Sequence, residues 1–176
     1  MSEAATDLLI LVDENDQPKG TAPKLLAHQK GWLHRAVSVL LFDAEGNWLL
    51  QQRELDKYHC GGLWTNTCCT HPFVGEANQT TAVRRLQEEM GIEASPTKAF
   101  EFLYRAEFPN GLVEYEYDHV FIGEFSGEPQ PNPAEVMDWA YRSTHEIERS
   151  IRQAPQNFTP WFRILFEKIR EERHVA

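Results

Sequence analysis

Residues 64–72 read WTNTCCTHP and hold Cys68 and Cys69, two of the chain's three cysteines, with His71 two residues beyond. A disulfide, a metal site, a nucleophile, an acid–base pair and plain core packing are all consistent with that stretch. Glu114 and Glu116, in VEYE, lie two apart in a strand-like run, so they project from one face roughly 7 Å apart. Two like charges so placed repel unless water or a cation compensates, and a solvated strand face is the plain alternative. Three imidazoles, His28, His34 and His71, would complete with these carboxylates a donor set suited to a divalent transition ion of five or six ligands. No short metal motif fixes that grouping, since a histidine is more often a hydrogen-bonded or surface residue. His59, His119, His145 and His174 are read in that ordinary way.

The elements that must position these residues follow from patterning. LLILV (8–12) reads as a strand and DENDQPKG as a turn. LHRAVSVLLF (33–42), the DAEG turn and WLLQQR (48–53) predict a β-hairpin, and ELDKYHCGGL (54–63) a loop. QTTAVRRLQEEMG (79–91) predicts a helix with Val83, Leu86 and Met90 on its apolar stripe, stopped at Gly91. AFEFLYRAEF and LVEYEYDHVFIGEF flank PNG as a second hairpin. STHE (143–146) is a capping box, and TPW (159–161) gives an N-cap and a first-turn proline to a last helix. Strands interleaved with three helices predict an α/β or α+β fold.

At 176 residues, 41% hydrophobic and 11% aromatic, the chain suits one globular domain over 1–176, with a core near 32–142 and C-terminal helices over 143–173. An odd cysteine count without paired spacing argues against a disulfide framework and for a reducing compartment, so the expected location is the cytoplasm. LLILV is too short to span a bilayer and follows an acidic MSEAATD, which predicts neither a membrane segment nor a signal peptide. A formal charge of −10 excludes an extended nucleic-acid surface. It leaves room for a small anion held by a few local cations.

Glu76, Arg84, Leu86, Glu88, Glu89, Gly91 and Ile92 spell E-x7-R-x-U-x-E-E-x-G-U, with U an apolar residue. This resembles the Nudix box, the loop–helix signature of a metal–diphosphate site. Thr70 stands where the box opens on glycine, and Arg85 stands where it carries a further glutamate. A cation at that position argues against hydrolysis; an Arg85–Glu89 ion pair across one helical turn is its plain structural reading.

With WTNTCCTHP, LYRAEF, VEYE and FTPW added, the chain from about Lys24 to Trp161 resembles the type 1 isopentenyl diphosphate isomerases. The resemblance implies a Nudix-like fold, mixed β-sheets sandwiched between helices. It implies catalytic roles for Cys69 and Glu116, assisted by Tyr104. It also implies a divalent ion (Mn2+, Mg2+ or Zn2+) on His28, His34, His71, Glu114 and Glu116, and a second Mg2+, bound with the substrate diphosphate, on Glu89 and the Cys69 carbonyl. Lys24, Arg53, Lys57 and Arg85 match the positions that line its diphosphate pocket. Trp64 and Trp161 would shield a carbocation, with core packing their plain alternative. The partner implied is a small isoprenoid diphosphate, as substrate of a monomeric protein, with neither nucleic acid nor membrane. A Nudix hydrolase of a nucleoside diphosphate derivative and a non-catalytic Nudix-like binding module are the competing classes.

Overall fold

The computed structural model describes residues 8–57 and 59–175, the last three by backbone alone. In chain order its elements are β1 (Leu8–Val12), β2 (Pro18–Pro23), α1 (Lys24–Lys30), β3 (His34–Phe42), β4 (Trp48–Arg53), β5 (Trp64–Thr65) and β6 (Cys68–Thr70). Then come α2 (Asn78–Met90), β7 (Thr97–Glu107), β8 (Val113–Glu124), β9 (Val136–Arg142), α3 (Thr144–Gln153) and α4 (Pro160–Val175). This is an α+β architecture in which helices cover both faces of a mixed sheet. Strand β3 is its axis, parallel to β8 from His34↔Glu116 to Phe42↔Glu124 and antiparallel to β6 through Ser38↔Cys69.

Alternation along the strands splits the core in two. Leu40 and Phe42 of β3, Trp48 and Leu50 of β4 and Val120 of β8 face Ile147 of α3 and Phe162, Leu165 and Phe166 of α4. Val37, Val39 and Leu41, with Leu49 and Phe121, face Ala82, Leu86 and Met90 of α2. A sheet buried on both faces explains the nearly unbroken apolar run of β3.

Three expectations change. The hairpin predicted at 33–53 is paired only at Phe42↔Trp48, beside its turn. Beyond that point Thr65, Asn66 and Thr67, all fully buried, are wedged between the two strands. Asn66 Nδ2 donates to Val39 O (3.2 Å) and Cys68 O (2.7 Å). Thr67 Oγ1 accepts from Leu41 N (2.9 Å) and donates to Leu49 O (2.7 Å). These side chains take hydrogen bonds that a closed hairpin would make, so β4 pairs instead with β9. A fourth α-helix, α1, occupies Lys24–Lys30, ending at Gly31 in the left-handed region. Val83, expected on the buried stripe of α2, is exposed, and Ala82 takes its place beside Leu86 and Met90.

The DENDQPKG turn is kept but is shorter, since residues 18–20 open β2, and the other predicted elements match. PNG joins β7 to β8 in one antiparallel ladder. Ser143 and Glu146 form a reciprocal capping box on α3. Thr159 Oγ1 accepts from Phe162 N at 3.3 Å, and Thr159 also ties the start of α4 to β5 through Trp64 O and Thr65 Oγ1.

Gly91 ends α2 at φ 62°, with Ile92 N donating to Leu86 O and Gly91 N to Gln87 O. A Cβ there would lie 2.4 Å from Gln130 O. Gly91→Ala should therefore destabilise the fold by about 1–3 kcal/mol, through left-handed strain and a backbone clash together. Chemical denaturation measures this, and an unchanged midpoint would contradict it.

Candidate active site

Four neighbouring strands, in the order β6–β3–β8–β7, present the chemistry on one face. Cross-strand register puts His34 and Tyr104 directly on either side of Glu116. Tyr104 Oη donates to Glu116 Oε2 at 2.6 Å. Glu116 Oε1 lies 3.0 Å from His71 Nε2 and 3.4 Å from His34 Nε2. His28, from α1, tilts its ring against His34 at 5.2 Å between centroids, and one donor atom from each of His28, His34, His71 and Glu116 falls within 4.8 Å of the others. Glu114, two residues along β8 on the same face, is buried with Oε2 unpartnered.

These residues fit a divalent ion. His34 Nδ1 is 2.9 Å from Trp32 O and must donate to it, so loss of the Nε2 proton to a bound cation would turn the Nε2 lone pair into the cluster. His34 Nε2 and Glu114 Oε2 are both buried without a hydrogen-bond partner, a costly arrangement that a cation would relieve. The carboxylates divide their proton unequally. Burial and the neighbouring Glu116 push the Glu114 carboxyl up. Burial also acts to raise Glu116, but His34, Glu114 and Tyr104 outweigh it and hold that carboxyl below its ordinary value. His28 is driven down to about 3 by burial and by the adjacent His71 and His34, so it is a neutral imidazole able to ligate.

A cavity in front of this cluster is lined by Cys69, His71, Tyr104, Glu114, Glu116 and Trp161 together with Lys24, Arg53, Lys57, Arg85 and Glu89. Cys69 and Cys68 alternate as neighbours in a strand must: Cys68 packs into the α2-side core, and Cys69 reaches the cavity. Burial pushes the Cys69 thiol well above its ordinary pKa, so it holds its proton at rest. Arg53 lies over the Trp161 ring, 5.2 Å from its centroid.

Among the box glutamates only Glu89 lines the cavity. Glu76 accepts from Arg84 in bidentate fashion, and Arg84 also reaches Glu88 at 3.1 Å, which braces the helix and its entry loop. Arg85 meets Glu89 at 2.5 Å, as the helical spacing predicts, and Gln51 Nε2 donates to the other Glu89 oxygen at 2.7 Å.

Of the residues to which the resemblance gives catalytic, metal or substrate roles, all but Trp64 gather at this site. Trp64 instead lines a separate groove with Asn157 and Phe158, and Arg142 lies over its ring at 5.4 Å. Its backbone is committed to β4 on one side and Phe158 on the other, which turns its indole away. His59, read as an ordinary histidine, does enter. Its Nε2 is 3.8 Å from Glu114 Oε1, and its ring is 5.5 Å from that of Trp161. The signal for it was the GG pair at 61–62. Gly61 passes so close to Leu55 that a Cβ would sit 2.2 Å from its carbonyl oxygen, and that tight turn carries His59 inward.

The NUDIX domain family matches residues 32–162. The chain is 51% identical over 157 residues to isopentenyl-diphosphate Delta-isomerase 2 of Photorhabdus laumondii, covering 89% of each protein. It is 47% identical over 161 residues to the isopentenyl-diphosphate Delta-isomerase of Pectobacterium atrosepticum, covering 92% of this chain and 90% of that one. Among solved structures, a Deinococcus radiodurans protein superposes with a TM-score of 0.73 at 17% identity, over 92% of this chain and 98% of that one. The MutT protein of Methanosarcina mazei superposes at 0.66 with 19% identity, over 80% and 95%; at such identities the likeness is one of fold.

The cations of the cavity have a pH signature. Burial lowers the Lys57 ammonium to about 8, with Glu89 opposing and Arg53, Arg85 and Lys24 adding to the fall. Affinity for inorganic diphosphate should therefore weaken as pH rises from about 7 through 8 to 9, even though the ligand itself gains negative charge over that range. Calorimetric titration across this range checks it, and Lys57→Arg, which stays charged, should remove the loss. An affinity that held or increased to about pH 9 would contradict the assignment.

Proposed function

The chain belongs to the NUDIX domain family and, within it, to the isopentenyl-diphosphate Delta-isomerases, and on that premise we propose that it converts isopentenyl diphosphate to dimethylallyl diphosphate by protonation and deprotonation through a carbocation. One observation carries the reading: a cysteine and a tyrosine-linked glutamate share a single cavity with four cationic side chains. The net change is one proton gained at the terminal alkene carbon and one lost at the neighbouring methylene.

Cys69 and Glu116 stand on β6 and β8, on either side of β3. Two strand spacings, about 10 Å, and a four-residue stagger along β3, about 13 Å, separate their backbones, so the two side chains reach the shared cavity from different positions on the sheet. On one wall Tyr104 Oη, hydrogen-bonded to Glu116 Oε2, is the relay atom for a proton. On the other, Cys69 Sγ, half-buried at the cavity, is the second proton-carrying atom. Trp161 lines the same cavity, where its π face would stabilise a developing cation by about 2 kcal/mol or more once desolvated. Closure against water matters because a tertiary cation would otherwise be captured as an alcohol.

We propose that His28, His34, His71, Glu114 and Glu116 hold a divalent ion, manganese, magnesium or zinc, which when bound would offset the two carboxylate charges and make Glu116 a stronger acid. Glu89 and the Cys69 carbonyl are the proposed contacts for a magnesium ion carried by the substrate. Lys24, Arg53, Lys57 and Arg85 bind and orient the diphosphate without reacting. Three free thiols, Cys60, Cys68 and Cys69, support a reducing, cytoplasmic setting. The described residues form no helix long and apolar enough to cross a membrane. The competing hydrolase reading is disfavoured because Arg85 occupies the position of a box glutamate and pairs with both Glu88 and Glu89.

Incubation with isopentenyl diphosphate and magnesium in deuterated water should place label in both isomers and release no phosphate. Cys69→Ala should reduce turnover by at least about a thousandfold, a typical scale for losing a proton-transfer group, while Cys68→Ala stays active. Phosphate release, or an active Cys69→Ala, would overturn the reading.

A further inference from the structure

Glu135 lies outside the metal cluster and outside the proton path, yet two of the four cavity cations converge on it. Lys57 Nζ and Arg85 Nη2 both donate to Glu135 Oε2, the latter at 3.1 Å. The carboxylate is held from both ends of its segment. Glu135 N donates to Asn132 O at 2.9 Å, and Asn132 N to Glu89 O at 2.9 Å, clipping the turn to the last turn of α2. Glu135 O accepts from Glu54 N at 3.1 Å, which joins the same turn to the loop that carries Lys57. The close approach of this segment to Gly91 removes slack from the opposite side. Glu135 is thus a fixed anion facing the cations that the proposed substrate needs.

Resting on the isomerase reading, we infer that Glu135 is a specificity-determining residue that tunes the cavity to a magnesium-bound diphosphate and against the bare anion. A bare diphosphate carries more negative charge than its magnesium complex and gains more from an uncompensated cation cluster. By compensating Lys57 and Arg85, Glu135 lowers that gain, and the metal carried by the ligand restores the balance. The same charge limits how tightly a diphosphate product is retained. A purely structural role for Glu135 predicts the opposite sign, because loosened cations would bind any diphosphate less well.

The test uses metal-loaded protein and inorganic diphosphate, titrated calorimetrically with and without added magnesium. Wild type should bind the magnesium complex more tightly than the bare anion. Glu135→Gln keeps the shape and removes the charge, and it should bind bare diphosphate about tenfold more tightly than wild type, with most of the magnesium dependence lost. Glu135→Asp retains the charge and should retain the dependence. Glu135→Gln binding the bare anion no more tightly than wild type, or more weakly, would overturn the inference while leaving the isomerase reading intact. Wild type that bound no diphosphate in either condition would overturn both.

Discussion

One row of side chains across three strands, His34 on β3, Glu116 on β8 and Tyr104 on β7, sets what the rest of the molecule must do. Glu116 is buried, and an isolated buried carboxylate costs several kcal/mol. The sheet register gives it a phenol on one oxygen and imidazoles on the other. A one-residue slip of β8 would turn Glu114 and Glu116 to the opposite face and leave His34 facing a tyrosine, Tyr115 or Tyr117. The nine-residue parallel pairing of β3 with β8, and the long β7–β8 ladder, are what make that slip prohibitive. Site and core therefore depend on the same hydrogen bonds.

The opened β3–β4 hairpin serves the same end. Wedging Thr65, Asn66 and Thr67 between the strands buries polar side chains, and each finds backbone or side-chain partners, so the cost is offset. The wedge turns the chain so that Cys68 closes one core and Cys69 opens on the cavity. It also ties β5 to the start of α4, which is how Trp161 comes to lie beside Tyr104 and Arg53. The cavity thus combines aromatic and proton-bearing side chains with four cationic ones. That combination suits a substrate with a short alkenyl tail and a charged head.

Much of this is legible in the sequence where the determinant is local. PNG between two alternating strands, the Ser143–Glu146 box and Gly91 after Met90 each act within a few residues, and each predicts its element correctly. The face shared by Glu114 and Glu116, and the opposed faces of Cys68 and Cys69, follow from strand alternation alone. What was not legible depends on distant partners. The DAEG turn signals a hairpin, but whether its strands stay paired is decided by the T-N-T segment inserted between them. Helix α1 lacks a side-chain N-cap and spans seven residues, so its marks are only Pro23 before it and Gly31 after it. His59 enters through a turn fixed by a contact between Gly61 and Leu55, and Trp64 leaves through backbone pairing to Phe158. The grouping of His28, His34 and His71 came from family likeness, since their spacing matches no short motif.

The central claim is that Glu116 does two jobs with its two oxygens, holding the divalent ion through one and exchanging a proton with Tyr104 through the other. Bound metal and turnover, measured side by side on purified Tyr104→Phe and Glu116→Gln, separate those jobs. The account predicts that Tyr104→Phe keeps its metal content while losing at least about a hundredfold in rate, and that Glu116→Gln loses turnover almost entirely and binds the ion more weakly. Full metal occupancy in Glu116→Gln, or equal and mild rate losses in the two variants, would contradict it.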